Sequence, residues 1–215
     1  MSNPVGIFFP APPALPNGPD GQYSRQYQDQ LNKILRLYFN QLNSALSSLS
    51  GPRGAKYINA PYAAIQRTTD KSFTANTATQ ITFDQNDFLN GCSNDGTDGI
   101  SVDQAGIYNY QFSVQFRNSD TQIHGAWVWL RINGVDAPGT GSKFDVSSKH
   151  GGIDGFIIGA CNFYVQLEAG DTVEMWAAVD NVAVTFDATS AQTLPFVMPA
   201  IPSVVATLSF VSSVG

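Results

Sequence analysis

The chain is predicted to be mainly β: an antiparallel two-sheet jelly roll of about ten strands, preceded by an extended Pro-rich arm and one coiled-coil-forming helix. Three observations carry that prediction. From Tyr62 onward hydrophobicity alternates with period two between regularly spaced turn signals. Charged residues are only 13% of the 215, and Asn, Gln, Ser and Thr supply the polar surface, while 43% apolar residues are enough to build a core. Finally, six of the twelve prolines fall within residues 1–20 (Pro4, Pro10, Pro12, Pro13, Pro16, Pro19), where they fix φ and remove amide donors. Four zones follow: an anchoring arm over 1–20, a helical stalk over 21–50, a linker over 51–61 and the head over 62–215.

The arm reads as extended or polyproline-like, and at ~3.1 Å per residue it reaches roughly 50 Å across a neighbour. Its apolar run ends in Ile7, Phe8 and Phe9 before Pro10, which makes these three the candidate anchoring residues. The run is short and no basic region precedes it, so a secretory leader is not expected. No stretch approaches the ~18 apolar residues of a membrane span, no Asn-x-Ser/Thr acceptor occurs, and assembly in a cytoplasm is expected.

The stalk opens at Pro19-Asp20-Gly21 and closes at Gly51-Pro52. Tyr27, Leu31, Ile34 and Tyr38, then Leu42, Ala45 and Leu49, recur at three- and four-residue spacing with one phase slip, and Leu35 widens the stripe. Such a helix, roughly 43 Å long, packs on copies of itself, on another protein, or back on its own head. Asp29 is its only acidic residue, so interchain salt bridges do not pair it.

In the head, strands are expected at Ala63–Arg67, Gln80–Phe83, Gly99–Val102, Gly106–Phe116, Gly125–Ile132, Gly152–Ile158, Cys161–Leu167, Thr172–Val179, Val182–Phe186 and Val204–Val211. Asn133-Gly134 reads as a type I′ hairpin turn, whose central residues both need positive φ. Ala169-Gly170-Asp171 is a second turn, and Gly139-Thr140-Gly141-Ser142-Lys143 a hairpin loop lacking phosphate-loop spacing. Net charge is +3 over residues 1–60 and −9 over 61–215. An acidic head without a basic stripe argues against nucleic acid as a partner.

The head resembles the complement-globular-head and tumour-necrosis-factor jelly rolls. Ala105-Gly106-Ile107-Tyr108-Asn109-Tyr110-Gln111-Phe112 is similar to their Gly-x-Tyr-x-Phe strand. Leu167-Glu168-Ala169-Gly170-Asp171-Thr172-Val173 is similar to their Leu-x-x-Gly-Asp-x-Val strand pair, and Ser203–Phe210 to their closing apolar strand. The chain departs in having no Gly-X-Y stalk and in carrying Thr207 and Phe210 where the family has a glycine and an aromatic. The resemblance implies a homotrimer, with Tyr108, Tyr110, Trp127, Trp129 and Phe210 as candidate head-interface residues. Arm, helix and head together look like tailed-bacteriophage virion proteins. That likeness implies a decoration protein or short fibre, held to other virion proteins (capsid, neck or tail) by its arm. The alternative is a fibre tip that binds a host glycan or receptor.

Little in the sequence points to catalysis, and no cofactor is expected. His124 and His150, the two histidines, lack His-x-x-x-His or His-Glu spacing, and no Gly-x-Ser-x-Gly elbow occurs. Calcium is the best metal candidate, at Asp95 and Asp98 of Asn94-Asp95-Gly96-Thr97-Asp98-Gly99, where Asp-Gly turns are the plainer reading. Cys92 and Cys161 could bridge, but cytoplasmic synthesis favours two separate thiols. Trp127, Trp129 and Trp176 could stack on sugars, although packing at a core or subunit surface is the plainer role.

Overall fold

The computed structural model describes residues 10–18, 24–50, 60–94 and 99–212. The chain divides into two units, Met1–Asn59 and Ala60–Gly215. The anchoring residues Ile7, Phe8 and Phe9 and the loop aspartates Asp95 and Asp98 lie outside the described residues.

In the first unit, α1 spans Arg25–Ser50. Ser24 caps it: its Oγ accepts the Tyr27 amide at 3.3 Å, and its carbonyl accepts the Gln28 amide at 3.1 Å. One orphan donor of the first turn is thereby satisfied. Tyr27, Leu31, Ile34, Leu35, Tyr38 and Leu42 are half-buried along one side. Leu37, Phe39 and Leu46 stand 53%, 59% and 47% exposed. The side chain of Leu49 is outside the described residues.

The second unit is an antiparallel two-sheet jelly roll, the fold class expected from the sequence. Its thirteen strands, among the described residues, are β1 (Tyr62–Arg67), β2 (Thr79–Ile81), β3 (Gln85–Asn90), β4 (Cys92–Ser93), β5 (Ile100–Val102), β6 (Gly106–Asn118) and β7 (His124–Ile132), followed by β8 (Val135–Asp136), β9 (Ser142–Val146), β10 (Gly155–Leu167), β11 (Thr172–Val179), β12 (Val184–Phe186) and β13 (Val204–Ser212). The front sheet runs β10-β6-β13-β1-β3, with β12 also on β6; the back sheet runs β4-β5-β11-β7-β8, with β2 also on β11 and β9 on β7. Long strands alternate between sheets, β6 to β7, β9 to β10, β10 to β11 and β11 to β13. The first and last strands pair in the front sheet, Tyr62 opposite Ser209 and Arg67 opposite Val204. That wrapping brings the inner faces of both sheets onto one core.

Inward positions explain why the chain folds this way. On β6, Tyr108, Tyr110, Phe112, Val114 and Phe116 are all buried; Val128, Leu130, Val173, Met175 and Ala177 answer them from the back sheet. The Phe116 ring lies edge-on to Phe186 with centroids 5.1 Å apart, a favoured aromatic geometry. The hairpin at Asn133-Gly134 has φ of 51° and 79°, as its sequence requires.

Several boundaries differ from the sequence reading. The two strands expected at 152–158 and 161–167 are one, paired along its whole length from Gly155 opposite Asn118 to Leu167 opposite Gly106. Gly159 is no break. A Cβ there would lie 2.5 Å from Phe116 and 2.9 Å from Phe144, so the glycine makes room for aromatic packing. β3, β4, β8 and β9 were not expected, and β9 begins inside the segment read as the Gly139–Lys143 loop. Both cysteines are free thiols, Cys92 on the back sheet and Cys161 on the front. Burial, with an acidic Asp103 nearby, pushes the Cys92 thiol up to about 11, so it stays protonated at neutral pH.

Candidate assembly interface

The two sheets present different outer faces, and each follows from the side chains that strand alternation turns outward. On the front sheet, β10 turns out Phe156, Ile158, Ala160, Asn162, Tyr164 and Gln166, since Gly155, Gly159, Val165 and Leu167 are buried. The neighbouring β6 turns out Gln111, Ser113 and Gln115, and β13 turns out Val205, Thr207 and Ser209. Phe156, Ile158 and Tyr164 are 57%, 62% and 67% exposed, and across the sheet Tyr62 and Phe88 are 45% and 66% exposed.

Charge is almost absent from this face. On β1, β6, β10 and β13 the only outward charged side chain is Arg117, at one end; at the far edge β3 adds Asp87, which accepts from Gln66 and Gln85. Arg117 is already engaged, 2.6 Å from Asp154 and 3.3 Å from Asp187. Asp154 is held below the usual carboxylate range by its hydrogen bonds from Lys149 and then Arg117. At the centre, small side chains leave a depression of about 530 Å³ lined by Ser113, Ala160, Val205 and Thr207, with Gln111 and Asn162 at its sides. Nearby, Asn109, only 8% exposed, has a buried Oδ1 with no hydrogen-bond partner among the described residues. A buried acceptor left without a donor costs about 1–3 kcal/mol.

The back sheet is laced with charge. Trp127, Trp129 and Arg131 alternate outward on β7, and Trp176 sits opposite Trp129 on β11. The Trp129 indole N–H donates to Asp136 Oδ1 at 2.7 Å, and Arg131 Nε donates to the same oxygen at 2.6 Å. Trp176 donates to Glu174 Oε2 at 2.7 Å. The Arg131 guanidinium lies 3.8 Å over the Trp176 ring, and Lys143 Nζ is 5.7 Å over Trp127, both within reach of a cation–π contact.

Trp127 occupies space that only a glycine leaves. A Cβ on Gly125 would sit 2.6 Å from Trp127 Cη2, so the ring lies down along its own strand. Close by, His124 stands between two carboxylates, its Nε2 2.8 Å from Asp120 and its Nδ1 3.5 Å from Asp180. The bond to His124 is the main cause holding the Asp120 carboxyl low.

The structure scatters the five residues expected at a head interface. Tyr108 and Tyr110 are corrected to core residues, 0% and 1% exposed. The Tyr108 hydroxyl donates to the Gln104 carbonyl at 2.7 Å, and burial pushes it up to about 12. A side chain sealed in its own core offers nothing to a neighbour. Phe210 also turns inward, half-buried and edge-on to Tyr108 with centroids 5.5 Å apart. Trp127 and Trp129 lie on the outer face of the opposite sheet. The sequence reading did not single out Phe156, Ile158 and Tyr164, although the start of β10 carried a signal: from Phe156 to Ala160 it is apolar on both sides, before Asn162 and Gln166 make the outer side mixed.

Among the described residues, no group of three or more His, Cys, Asp or Glu side chains gathers as metal ligands would, and no helix is long and apolar enough to cross a membrane. No family model matches the chain, and no curated protein matches it. Among solved structures, a crystal structure of murine APRIL at pH 5.0 is similar at a TM-score of 0.45 and 13% identity, over 71% of this chain and 99% of that one.

Proposed function

We propose that the chain is a non-enzymatic structural protein that works as a homotrimer, closed through the outer face of its front sheet. The observation that carries this reading is the face itself. Phe156, Ile158 and Tyr164 stand in water on a surface almost free of charge. Removing such surface from water contributes about 25 cal/mol per Å², and a large exposed apolar patch marks an interaction site.

The setting we propose is a bacteriophage virion, with the chain a decoration protein or short fibre assembled in the host cytoplasm. This rests on the order of arm, helix and head in the sequence. The arm binds another virion protein through Ile7, Phe8 and Phe9, and the helical stripe from Tyr27 to Leu42 joins copies. Replacing Phe8 and Phe9 with Ser is expected to abolish incorporation into particles while leaving the oligomeric state unchanged. Incorporation at the parental level sinks the anchoring assignment.

A second reading, recognition of a host glycan, draws on one observation: Trp127 is 36% exposed with its ring laid along the strand over Gly125. A flat indole with polar neighbours suits the apolar face of a sugar. Glycan-array binding that is lost in Trp127→Ala supports this reading, and an array that shows no binding removes it.

A further inference from the structure

Residues 187–203, between β12 and β13, form a braced hairpin with an apolar tip. Thr189 and Ile201 exchange both backbone hydrogen bonds, at 2.9 and 2.8 Å, and Gln192 and Met198 do the same at 3.0 and 3.0 Å. The base is pinned on both sides. The Asp187 amide donates to Gln115 at 2.9 Å, and its carboxylate takes Arg117 at 3.3 Å. The Ser203 amide donates to the Arg67 carbonyl at 2.9 Å, while its hydroxyl donates to Thr69 at 2.7 Å.

Leu194, Phe196 and Val197 at the tip are nevertheless 82%, 60% and 83% exposed. Tight turns are ordinarily built from Gly, Pro, Asn, Asp and Ser, and between Gln192 and Met198 only Pro195 is of that kind. Three bulky apolar side chains held in water on an ordered hairpin are the mark of a contact surface.

What covers them can be argued from size, charge and continuity. Three side chains cannot hold a separate partner alone, since stable interfaces bury about 800 Å² on each side. The tip therefore adds to a larger surface. Residues 188–202 carry no charge, which matches the front-sheet face rather than the charge-laced back face. The base of the hairpin is also continuous with that front face: Thr189 and Ile201 share a groove of about 320 Å³ with Phe156 and Ile158 of β10. The same face holds the 530 Å³ depression floored by small side chains, room for bulky ones from elsewhere.

We propose that the hairpin tip of each copy packs into the front-sheet depression of its neighbour, placing Leu194, Phe196 and Val197 against Ser113, Ala160 and Thr207. A ring of three copies then carries three equivalent clips, the arrangement of a closed heterologous interface. The proposal rests on the homotrimer reading.

The test is a full-length double variant, Ala160→Cys with Val197→Cys, both at exposed positions, made in a Cys161→Ala background because that free thiol lines the same depression. It is then oxidised and run on a non-reducing gel beside the two single variants in that background. Light scattering of the parental chain is run in parallel. The expected result is a parental trimer and, in the double variant alone, loss of the single-chain band to a covalent three-chain species. A parental trimer whose double variant shows no more cross-linking than the singles overturns the clip and leaves the trimer standing. A monomeric parental chain overturns the trimer and the clip with it.

Discussion

The two outer faces of the jelly roll are built on the same alternation, yet they surround their aromatic side chains differently. On the back sheet each tryptophan has internal company. Trp129 and Trp176 donate their indole N–H groups to Asp136 and Glu174, and Arg131 and Lys143 lie over the rings of Trp176 and Trp127. The front sheet leaves Phe156, Ile158 and Tyr164 in water. Aromatic content alone therefore does not identify a contact surface. What separates the faces is whether the chain itself satisfies the groups it turns outward.

The largest effect expected from this contrast is on assembly. Phe156→Asp with Ile158→Asp places two charges in the proposed front-sheet seam. Burying an unpaired charge costs several kcal/mol, so the trimer should dissociate at a concentration at least about a thousandfold higher, each 1.4 kcal/mol being tenfold. Both positions are more than half exposed in the single chain, so its circular dichroism should be unchanged. Trp127→Asp, the matching change on the back face, should leave the mass by light scattering as it was. The reverse pattern breaks the comparison.

Next in size is the back face's own contribution to stability. Arg131→Ala removes the contact over Trp176 and the bond to Asp136, and urea unfolding should register a loss of about 1 kcal/mol with no change in mass. A change in mass without a change in stability contradicts the account.

A pH effect should appear where Asp154 ties the start of β10 to Arg117 and Lys149. Its carboxyl is held low in the fold, so its stabilisation is present above the unfolded value of about 3.9 and is lost as pH falls through the folded value beneath it. Amide exchange corrected for intrinsic rates should show residues 149–157 losing protection from pH 5 to pH 2. Protection that is flat over this range contradicts the assignment. The smallest effect belongs to Lys143, whose ammonium lies 5.7 Å over Trp127. Lys143→Gln should shift unfolding by no more than about 0.5 kcal/mol.

Much of the fold was legible because buried strands alternate strictly. Thr172–Val179 has the expected bounds, and β6 runs only two residues beyond Phe116. Short polar strands such as β3, with sequence Gln-Asn-Asp-Phe-Leu-Asn, were missed because pairing partners, not their own pattern, make them strands. Gly159 misled because a glycine required by the neighbouring rings of Phe116 and Phe144 looks the same in sequence as one required by a turn. The residues of the proposed interface were the least legible. Tyr108 and Tyr110 share one side of β6 with Phe112, Val114 and Phe116, and that unbroken apolar side marks the core. The better guide was the first half of β10, where Phe156 and Ile158 alternate with Ile157 and Gly159 and no polar residue falls on either side before Asn162.

The measurement that tests the central claim most directly is the solution mass, by light scattering, of the full chain and of residues 60–215. If the front sheet is the seam, both are trimers, because that face belongs wholly to the Ala60–Gly215 unit. A head that stays monomeric at tens of micromolar contradicts the claim and leaves the helix and arm as the parts that find a partner.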